Sequence, residues 1–289
     1  MPRRPLPPEV PAERPPVRLV DGRRLASVEV GDPDGFPVVS CHGGLSSCLD
    51  VVPAAAPAAA RGLRIISPDR PGIGRSDRQG HRGLLDWPVD VEALADGLGL
   101  EQFALLGWSL GGMYAQAVAR TLSDRVRVAV LVASSVPETW PGAERDLNRM
   151  DRTFLRLAGR GAPVERSIFR IMGWAARRTP RAYTRAFPLS AGDGAALTAA
   201  IARGLAVPQG VVDDYRVMGA DWGFEPSEIR VPVQVWQGDA DELVPAVWGR
   251  RLAEAIPNST LTVVPGGTHY LWYDHWDGIL DGLAAAVAR

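Results

Sequence analysis

The sequence contains no lysine, and all 32 of its basic residues are arginines. Catalysis through a lysine Schiff base, which includes pyridoxal phosphate chemistry, is therefore excluded, as is the lysine of a phosphate-binding loop. Because 33 acidic residues balance the arginines to a formal net charge of -1, the composition also argues against general nucleic-acid binding.

Cysteine is almost as scarce, with Cys41 and Cys48 as the only two. Two cysteines so placed fit neither a disulfide framework nor the spacing of zinc ligands. We interpret them as reduced thiols of a cytoplasmic protein, and we expect no metal and no cofactor. The amino-terminal region has no apolar run of the kind that forms a signal-peptide core or a membrane span, so neither secretion nor membrane association is expected.

The 289 residues, 46% hydrophobic and 22% charged, have the composition of a soluble globular protein with a sizeable core. Seven prolines fall within the first sixteen residues. Such a segment forms neither a helix nor a sheet ladder. We therefore predict that residues 1–16 are a flexible arm outside the fold.

After the arm, short β-branched segments alternate with helical patterns, which predicts a mostly parallel sheet flanked by helices, an α/β fold. Strands are predicted at residues 17–20, 25–30, 38–41, 63–67, 103–106, 126–132, 231–236 and 261–264. Helices are predicted at about 89–98, from 110 to near 121 and at about 271–288. This pattern assigns residues 17–136 and 226–289 to one core.

Between these two parts, residues 137–225 have helical periodicity and no strand pattern, which predicts an inserted helical cap. Apolar residues from Leu147 to Ala158 recur at helical spacing with arginines between them, as in an amphipathic helix. Eleven arginines and four acidic residues lie between positions 141 and 190. This local positive charge fits attraction of an anionic substrate or an acidic carrier domain, but a solvated helix face explains it equally and is the interpretation we favour.

Gly107, Ser109 and Gly111 form a G-x-S-x-G pattern between a predicted strand and a predicted helix. The small residues allow a sharp turn that presents a serine hydroxyl at the carboxyl edge of the sheet, facing the amino terminus of the helix. A glycine-rich turn without chemistry has the same residues, but the strand and helix on either side favour a nucleophile.

Four further segments accompany this pattern in order along the chain: His42-Gly43-Gly44, DRPGIGRSD from 69 to 77, GDADELVP from 238 to 245 and GGTHY from 266 to 270. With them the sequence resembles the α/β-hydrolase fold superfamily, and more closely its serine esterases with a helical cap. The resemblance covers nearly the whole chain after the arm. It implies a nucleophile, an acid and a histidine in that chain order.

A serine needs a base, and the resemblance assigns that role to His269 among the four histidines of the chain. Thr268 departs from the glycine that most often precedes this histidine in the family. The matching position for the acid is Asp241, with Asp239 as the nearest rival and Glu138 as a more distant one. A carboxylate there holds the imidazole tautomer and stabilises the imidazolium.

The resemblance further implies an oxyanion hole made by the main-chain N–H groups of Gly44 and Leu110, with Gly43 as a less favoured donor. Asp69 and Arg70 are expected to hold the neighbouring loop in place. Aromatic side chains of the motif and the cap are candidates for the substrate pocket, although packing of the cap is the commoner use of such residues. We name Gly43, Trp108, Trp174 and Trp222 as pocket candidates.

Together these features predict a serine hydrolase that cleaves a small or medium carboxylic ester, lactone or thioester through an acyl-enzyme. The expected partner is a small-molecule substrate, with no nucleic acid and no membrane. A cofactor-free haloperoxidase or perhydrolase and a carbon-carbon bond hydrolase use the same triad and remain alternatives. A non-catalytic small-molecule receptor on the same fold is an alternative from another class.

Overall fold

The computed structural model describes residues 14–159 and 163–288. Most of the predicted arm, residues 1–13, lies outside this range. Arg14 is described and forms an ion pair with Glu29, with Nε 2.7 Å from Oε1.

A central sheet has the strand order β3-β5-β4-β6-β7-β8-β9, and a separate two-stranded sheet pairs β1 with β2. The strands are β1 (Val17–Arg18), β2 (Arg24–Leu25), β3 (Ser27–Gly31), β4 (Phe36–Cys41), β5 (Leu63–Pro68), β6 (Phe103–Trp108), β7 (Val126–Val132), β8 (Val233–Gly238) and β9 (Ser259–Val264). Within the central sheet only β3 pairs antiparallel, and the other six strands are parallel to one another. The α/β fold predicted from the sequence is thus confirmed.

Several of the described helices pack against this sheet, and others lie between β7 and β8 along the chain. The described helices are α1 (Ala55–Ala59), α2 (Trp87–Gly97), α3 (Leu110–Thr121), α4 (Ala143–Asp146), α5 (Arg149–Gly159), α6 (Pro163–Arg178), α7 (Pro180–Thr184), α8 (Ala191–Gly204), α9 (Pro208–Met218), α10 (Ala246–Ala255), α11 (Leu271–Asp274) and α12 (Trp276–Val287). Shorter 3-10 helices occupy Cys48–Ala54, Leu84–Asp86 and Pro226–Glu228.

The core of the molecule follows the two central strands. Every residue of β6 is buried, and in β7 only Arg127 is partly exposed. Because α3 packs on both strands from one side and α12 covers β7 as well, the strands have no solvent face and read as continuous apolar runs rather than alternating ones. The carboxyl ends of these parallel strands meet at one edge of the sheet, where the site described below lies.

Two predicted elements are interrupted in the structure. The strand predicted at 25–30 breaks at Ala26, because the Ala26 N–H donates to Ser76 Oγ at 3.0 Å instead of to a strand neighbour. The helix predicted at about 271–288 breaks at His275, whose φ of -127° and ψ of 23° are not helical. The prediction that His275 lies inside the last helix is therefore wrong.

Between β7 and β8 the described residues form six helices, α4 to α9, and no strand. We call residues 137–225 the cap segment. Helix α5 has the predicted amphipathic character, since Phe154 and Ala158 are buried while Arg149 and Arg156 are exposed. Helix α8 packs against the 3-10 helix Cys48–Ala54, which brings the cap segment onto the carboxyl edge of the sheet.

In the described part of the chain no single helix is both long enough and apolar enough to cross a membrane. Only α8 and α9, taken together across a 94° bend, reach that length and composition.

Candidate active site

Ser109 lies between the end of β6 and the start of α3, in a backbone conformation that serine rarely adopts. Its φ is 56° and its ψ is -127°. Positive φ of this kind costs a non-glycine residue on the order of 1–3 kcal/mol, so the surrounding structure must impose it. The Ser109 N–H donates to the carbonyl oxygen of Val132 at 2.9 Å, and the side chain is partly exposed at the edge of the sheet.

The glycines on either side are needed for close packing. A Cβ at Gly111 would lie 2.0 Å from the Cys41 carbonyl oxygen, and one at Gly107 would lie 2.7 Å from Ala115 Cβ. No side chain fits in such gaps. The G-x-S-x-G pattern of the sequence is therefore a consequence of the tight turn at Ser109.

His269 connects Ser109 to a carboxylate. Its Nε2 lies 3.0 Å from Ser109 Oγ, and its Nδ1 lies 3.0 Å from Asp241 Oδ2. The indole N–H of Trp108 donates to the His269 carbonyl oxygen at 3.0 Å, and the two rings lie 5.5 Å apart. The Thr268 carbonyl oxygen accepts from the Leu271 N–H at the start of α11 at 3.1 Å, and its hydroxyl accepts from the Tyr270 N–H at 3.3 Å.

Of the three candidate acids, Asp241 contacts His269, while Asp239 and Glu138 lie elsewhere. Asp241 has a fully buried side chain, and its Oδ1 accepts the N–H groups of Leu243 and Val244, each at 2.8 Å. Asp239 is exposed and accepts the Gly266 N–H at 2.6 Å, so it shapes the neighbouring turn. Glu138 makes no contact with His269 in the described structure, and burial raises its pKa to about 7. Of the three acids, Asp241 is the one that lies within hydrogen-bond distance of the imidazole.

The structure brings both predicted oxyanion donors beside the serine. Leu110 is the first residue of α3, so its N–H has no acceptor within the helix. Gly44 lies against Leu110, since a Cβ at Gly44 would be 3.4 Å from Leu110 Cβ. The Gly43 N–H is already engaged by Asp50 Oδ2 at 3.0 Å, and this leaves Gly44 and Leu110 as the available pair.

The loop of His42, Gly43 and Gly44 is held by three buried charged residues, Asp50, Arg70 and Asp214. Arg70 is fully buried and donates to the carbonyl oxygens of His42 and Gly43, the latter at 3.0 Å. It also pairs with Asp214 of α9, with Nη2 2.9 Å from Oδ2. Burial raises the pKa of Asp50 to about 7. Burial would also raise the pKa of Asp214, but the charges of Arg70 and Arg82 outweigh it and hold that pKa below its usual range.

A cavity of about 320 Å³ opens above Ser109, between the core and the cap segment. Ser109, His269, Gly44, Leu110 and Trp108 form its floor. Its walls are mostly apolar and come largely from the cap segment, with Leu147, Met150, Met172, Phe187, Leu197, Ile201 and Met218 among them. The volume and the apolar lining suit a small organic molecule.

Two predicted pocket residues lie away from this cavity. Trp174 is 55% exposed on α6, and Trp222 is buried against Phe224 with the ring centroids 5.8 Å apart. Neither lines the cavity, since the Trp174 side chain is largely exposed to solvent and Trp222 is buried away from it. Gly43 is also absent from the lining, since the Trp108 ring covers it: a Cβ there would lie 2.7 Å from Cε3.

Sequence reasoning missed Asp50, Asp214 and Asp151, each of which contacts the site or its supports. Asp214 lies 144 residues from Arg70, through which it supports the loop, whereas Asp50 lies only seven residues from Gly43 but outside the recognised motifs. The one available signal was in VVDDYRVM, from 211 to 218, where two acids interrupt an apolar helix face. A buried acid on such a face needs a cationic partner, which the structure supplies as Arg70 and Arg82.

The chain belongs to the alpha/beta hydrolase fold family, whose model matches residues 37–275. This membership confirms the resemblance predicted from the motifs and the enzyme class, an α/β-hydrolase. No group of three histidine, cysteine, aspartate or glutamate side chains within the described residues could hold a metal ion.

Characterised relatives span several activities. A non-heme chloroperoxidase of Streptomyces lividans is 29% identical over 94% of this chain and 98% of its own length. A pimeloyl-[acyl-carrier protein] methyl ester esterase of Pectobacterium atrosepticum is 29% identical over 77% of this chain and 83% of its own.

Solved structures repeat the fold over nearly the whole chain. An enol-lactonase of Burkholderia xenovorans superposes with a TM-score of 0.72 at 19% identity, over 95% of this chain and all of its own. The esterase RhEst1 of a Rhodococcus species superposes with a TM-score of 0.70 at 24% identity, over 96% of this chain and 98% of its own.

Proposed function

We propose that the protein is a serine hydrolase that cleaves a small or medium carboxylic ester, or a related lactone or thioester, through an acyl-enzyme. Ser109, His269 and Asp241 are its catalytic residues. The observation that carries the proposal is the unbroken series of hydrogen bonds from Ser109 Oγ through both ring nitrogens of His269 to Asp241. The named esterases among the relatives support the substrate class.

In the first half of the reaction, Ser109 Oγ attacks the carbonyl carbon of the ester while His269 Nε2 takes the hydroxyl proton. Negative charge moves to the carbonyl oxygen, which accepts the N–H groups of Gly44 and Leu110. Asp241 stabilises the imidazolium that has formed. The carbon-oxygen bond to the alcohol then breaks, and His269 returns its proton to the leaving alkoxide.

In the second half, water takes the place of the alcohol. His269 removes a proton from the water as it attacks the acyl-enzyme, and the same two N–H groups hold the second oxyanion. Collapse of this intermediate breaks the bond to Ser109 Oγ, which recovers a proton from His269. The product is a carboxylic acid, and the enzyme returns to its starting state without a cofactor.

The test is a screen of p-nitrophenyl esters of increasing acyl length alongside a panel of lactones. Ser109→Ala is expected to lower kcat by about three orders of magnitude or more while the circular dichroism spectrum stays unchanged. A fluorophosphonate probe is expected to label Ser109 alone, as peptide mass spectrometry would show. Full activity in the alanine variant, or absence of labelling at Ser109, would refute the proposal.

A second candidate is a perhydrolase that supports halogenation. The relative named a non-heme chloroperoxidase favours it, because the similarity covers 94% of this chain. Hydrogen peroxide would replace water in attack on the acyl-enzyme and release a peracid, which oxidises halide outside the site. Halogenation of a dye that depends on both acetate and peroxide, and that Ser109→Ala loses, would establish this activity; its absence would leave the hydrolase proposal in place.

A further inference from the structure

One wall of the cavity carries an acidic side chain. Asp151 lies in the first turn of α5 and lines the cavity together with Ser109 and His269. Asn148 fixes the start of this helix, because its Oδ1 accepts the N–H groups of Met150 and Asp151, each at 3.0 Å. The carboxylate is thus built into the cap rather than carried on a loose surface side chain.

Both oxygens of Asp151 accept hydrogen bonds from neutral groups. The Tyr215 hydroxyl donates to Oδ1 at 2.7 Å, and Asn148 Nδ2 donates to Oδ2 at 2.6 Å. A carboxylate oxygen has two lone pairs, so each oxygen retains acceptor capacity toward the cavity. Among the described residues no arginine forms an ion pair with Asp151.

The charge of the cavity is therefore opposite to that of the cap surface. None of the described arginines of the cap segment lines the cavity, although several, such as Arg149 and Arg156, are exposed on its outside. Glu138 lies close enough to Asp151 and Glu144 for their charges to add to its raised pKa, while Glu144 itself pairs with Arg156 at 3.2 Å. Asp151 is the only carboxylate among the described residues that line the cavity, and a like charge brought close to it in a partly desolvated cavity is strongly unfavourable.

We infer that Asp151 sets substrate specificity: the part of the substrate under the cap bears a hydrogen-bond donor, such as a hydroxyl or ammonium group, and a substrate with a free carboxylate there is rejected. This inference rests on the proposed hydrolase function. It also separates the arginines on the outer surface of the cap segment from substrate selection, because they do not line the cavity.

The experiment compares p-nitrophenyl esters of matched length that end in methyl, hydroxyl, ammonium or carboxylate, namely hexanoate, 6-hydroxyhexanoate, 6-aminohexanoate and hemiadipate. A second series of esters carries the methyl, hydroxyl, ammonium or carboxylate group on the alcohol part instead of the acyl part. In at least one series, kcat/KM for the carboxylate is expected to be about tenfold or more below that of the hydroxyl ester. The ammonium ester should equal or exceed the neutral ones.

Asp151→Asn removes the charge and keeps an oxygen that accepts from Tyr215. In this variant the ratio of kcat/KM for the hydroxyl ester to that for the carboxylate ester is expected to fall to about threefold or less. Asp146→Asn removes the same charge from an exposed position outside the cavity and should leave the ratio unchanged. Equal turnover of carboxylate and hydroxyl esters in both series, or a ratio that Asp151→Asn does not alter, would overturn the inference. Failure of the hydrolase proposal is distinguishable, because every neutral ester would then be inert and Ser109 unlabelled.

Discussion

Asp241 and Asp239 lie two residues apart on one turn, but only Asp241 contacts the imidazole of His269. We expect Asp241→Asn to lower kcat by about 10³-fold to 10⁴-fold, because the amide favours the wrong tautomer of the ring. Asp239→Asn is the matched change, and it should lower kcat by less than about threefold, since it alters only a turn. Steady-state kinetics on one neutral ester measure both. A severe loss in Asp239→Asn together with a mild one in Asp241→Asn would reverse the assignment.

The residues that the sequence could predict share one property. Ser109, Asp241 and His269 each occur in a short motif whose neighbours are fixed by the backbone of their own turn, so local sequence carries the signal. Asp214 acts on the His42-Gly43-Gly44 loop through Arg70, 144 residues away, and no local pattern records a partner that distant in sequence. Asp50 is only seven residues from Gly43, but it lies outside the recognised motifs. Trp174 and Trp222 are predicted as pocket residues from residue type alone, and residue type does not determine whether a side chain faces the cavity.

Among the elements, α6 holds an acidic residue that destabilises the fold at high pH. Glu165 is fully buried, and neither of its carboxylate oxygens has a hydrogen-bond partner in the part of the chain that the structure describes. Burial raises its pKa from 4.5 to about 7. Because the folded state holds this proton more tightly than the unfolded state does, stability falls as pH rises from about 4.5 to 7, and the penalty is complete above pH 7.

Glu165→Gln is therefore expected to stabilise the protein by about 1–2 kcal/mol at pH 8 and by much less at pH 5. Urea unfolding at the two pH values measures the difference. Glu254→Gln, at an exposed position of α10, is the control and should show no such dependence. A gain for Glu165→Gln that is equal at both pH values would contradict the prediction.

Elements were predictable where the period of hydrophobicity was unambiguous. The strand Val126–Val132 was predicted with the bounds it has, because a run buried on both faces reads as continuous apolar sequence. Boundaries set by tertiary hydrogen bonds were not predictable. Ala26 leaves the ladder for a serine fifty residues away, and the break at His275 interrupts a pattern that is otherwise helical on both sides.

At the scale of the whole molecule, ion pairs fasten the cap segment to the core. Asp214 accepts from Arg70 and Arg82, both deeply buried, and Arg203 of α8 pairs with Asp69 at 2.7 Å. Asp213 pairs with Arg78 at 2.6 Å, where the arginine side chain is 45% exposed. Each of these ion pairs joins α8 or α9 to the segment that follows β5.

Asp214→Ala is expected to destabilise the protein by about 3–5 kcal/mol, because it leaves two buried guanidinium groups without their counter-charge. Asp213→Ala should cost about 1 kcal/mol or less, since water screens its partner. Denaturant unfolding of the two variants measures the contrast. Equal losses at the two neighbouring positions would contradict the view that Asp214 is the main attachment of the cap.

The backbone of Ser109 also has a consequence for how the sequence could evolve. Positive φ with strongly negative ψ is a conformation that glycine adopts freely and serine or alanine does not, so the fold gives up stability at the proposed nucleophile. We expect the free energy of unfolding of Ser109→Gly, measured by calorimetry, to be about 1 kcal/mol larger than that of Ser109→Ala. Both variants are expected to be inactive. Selection for thermal robustness alone would replace this serine, so its presence marks a compromise in which activity has been kept against stability.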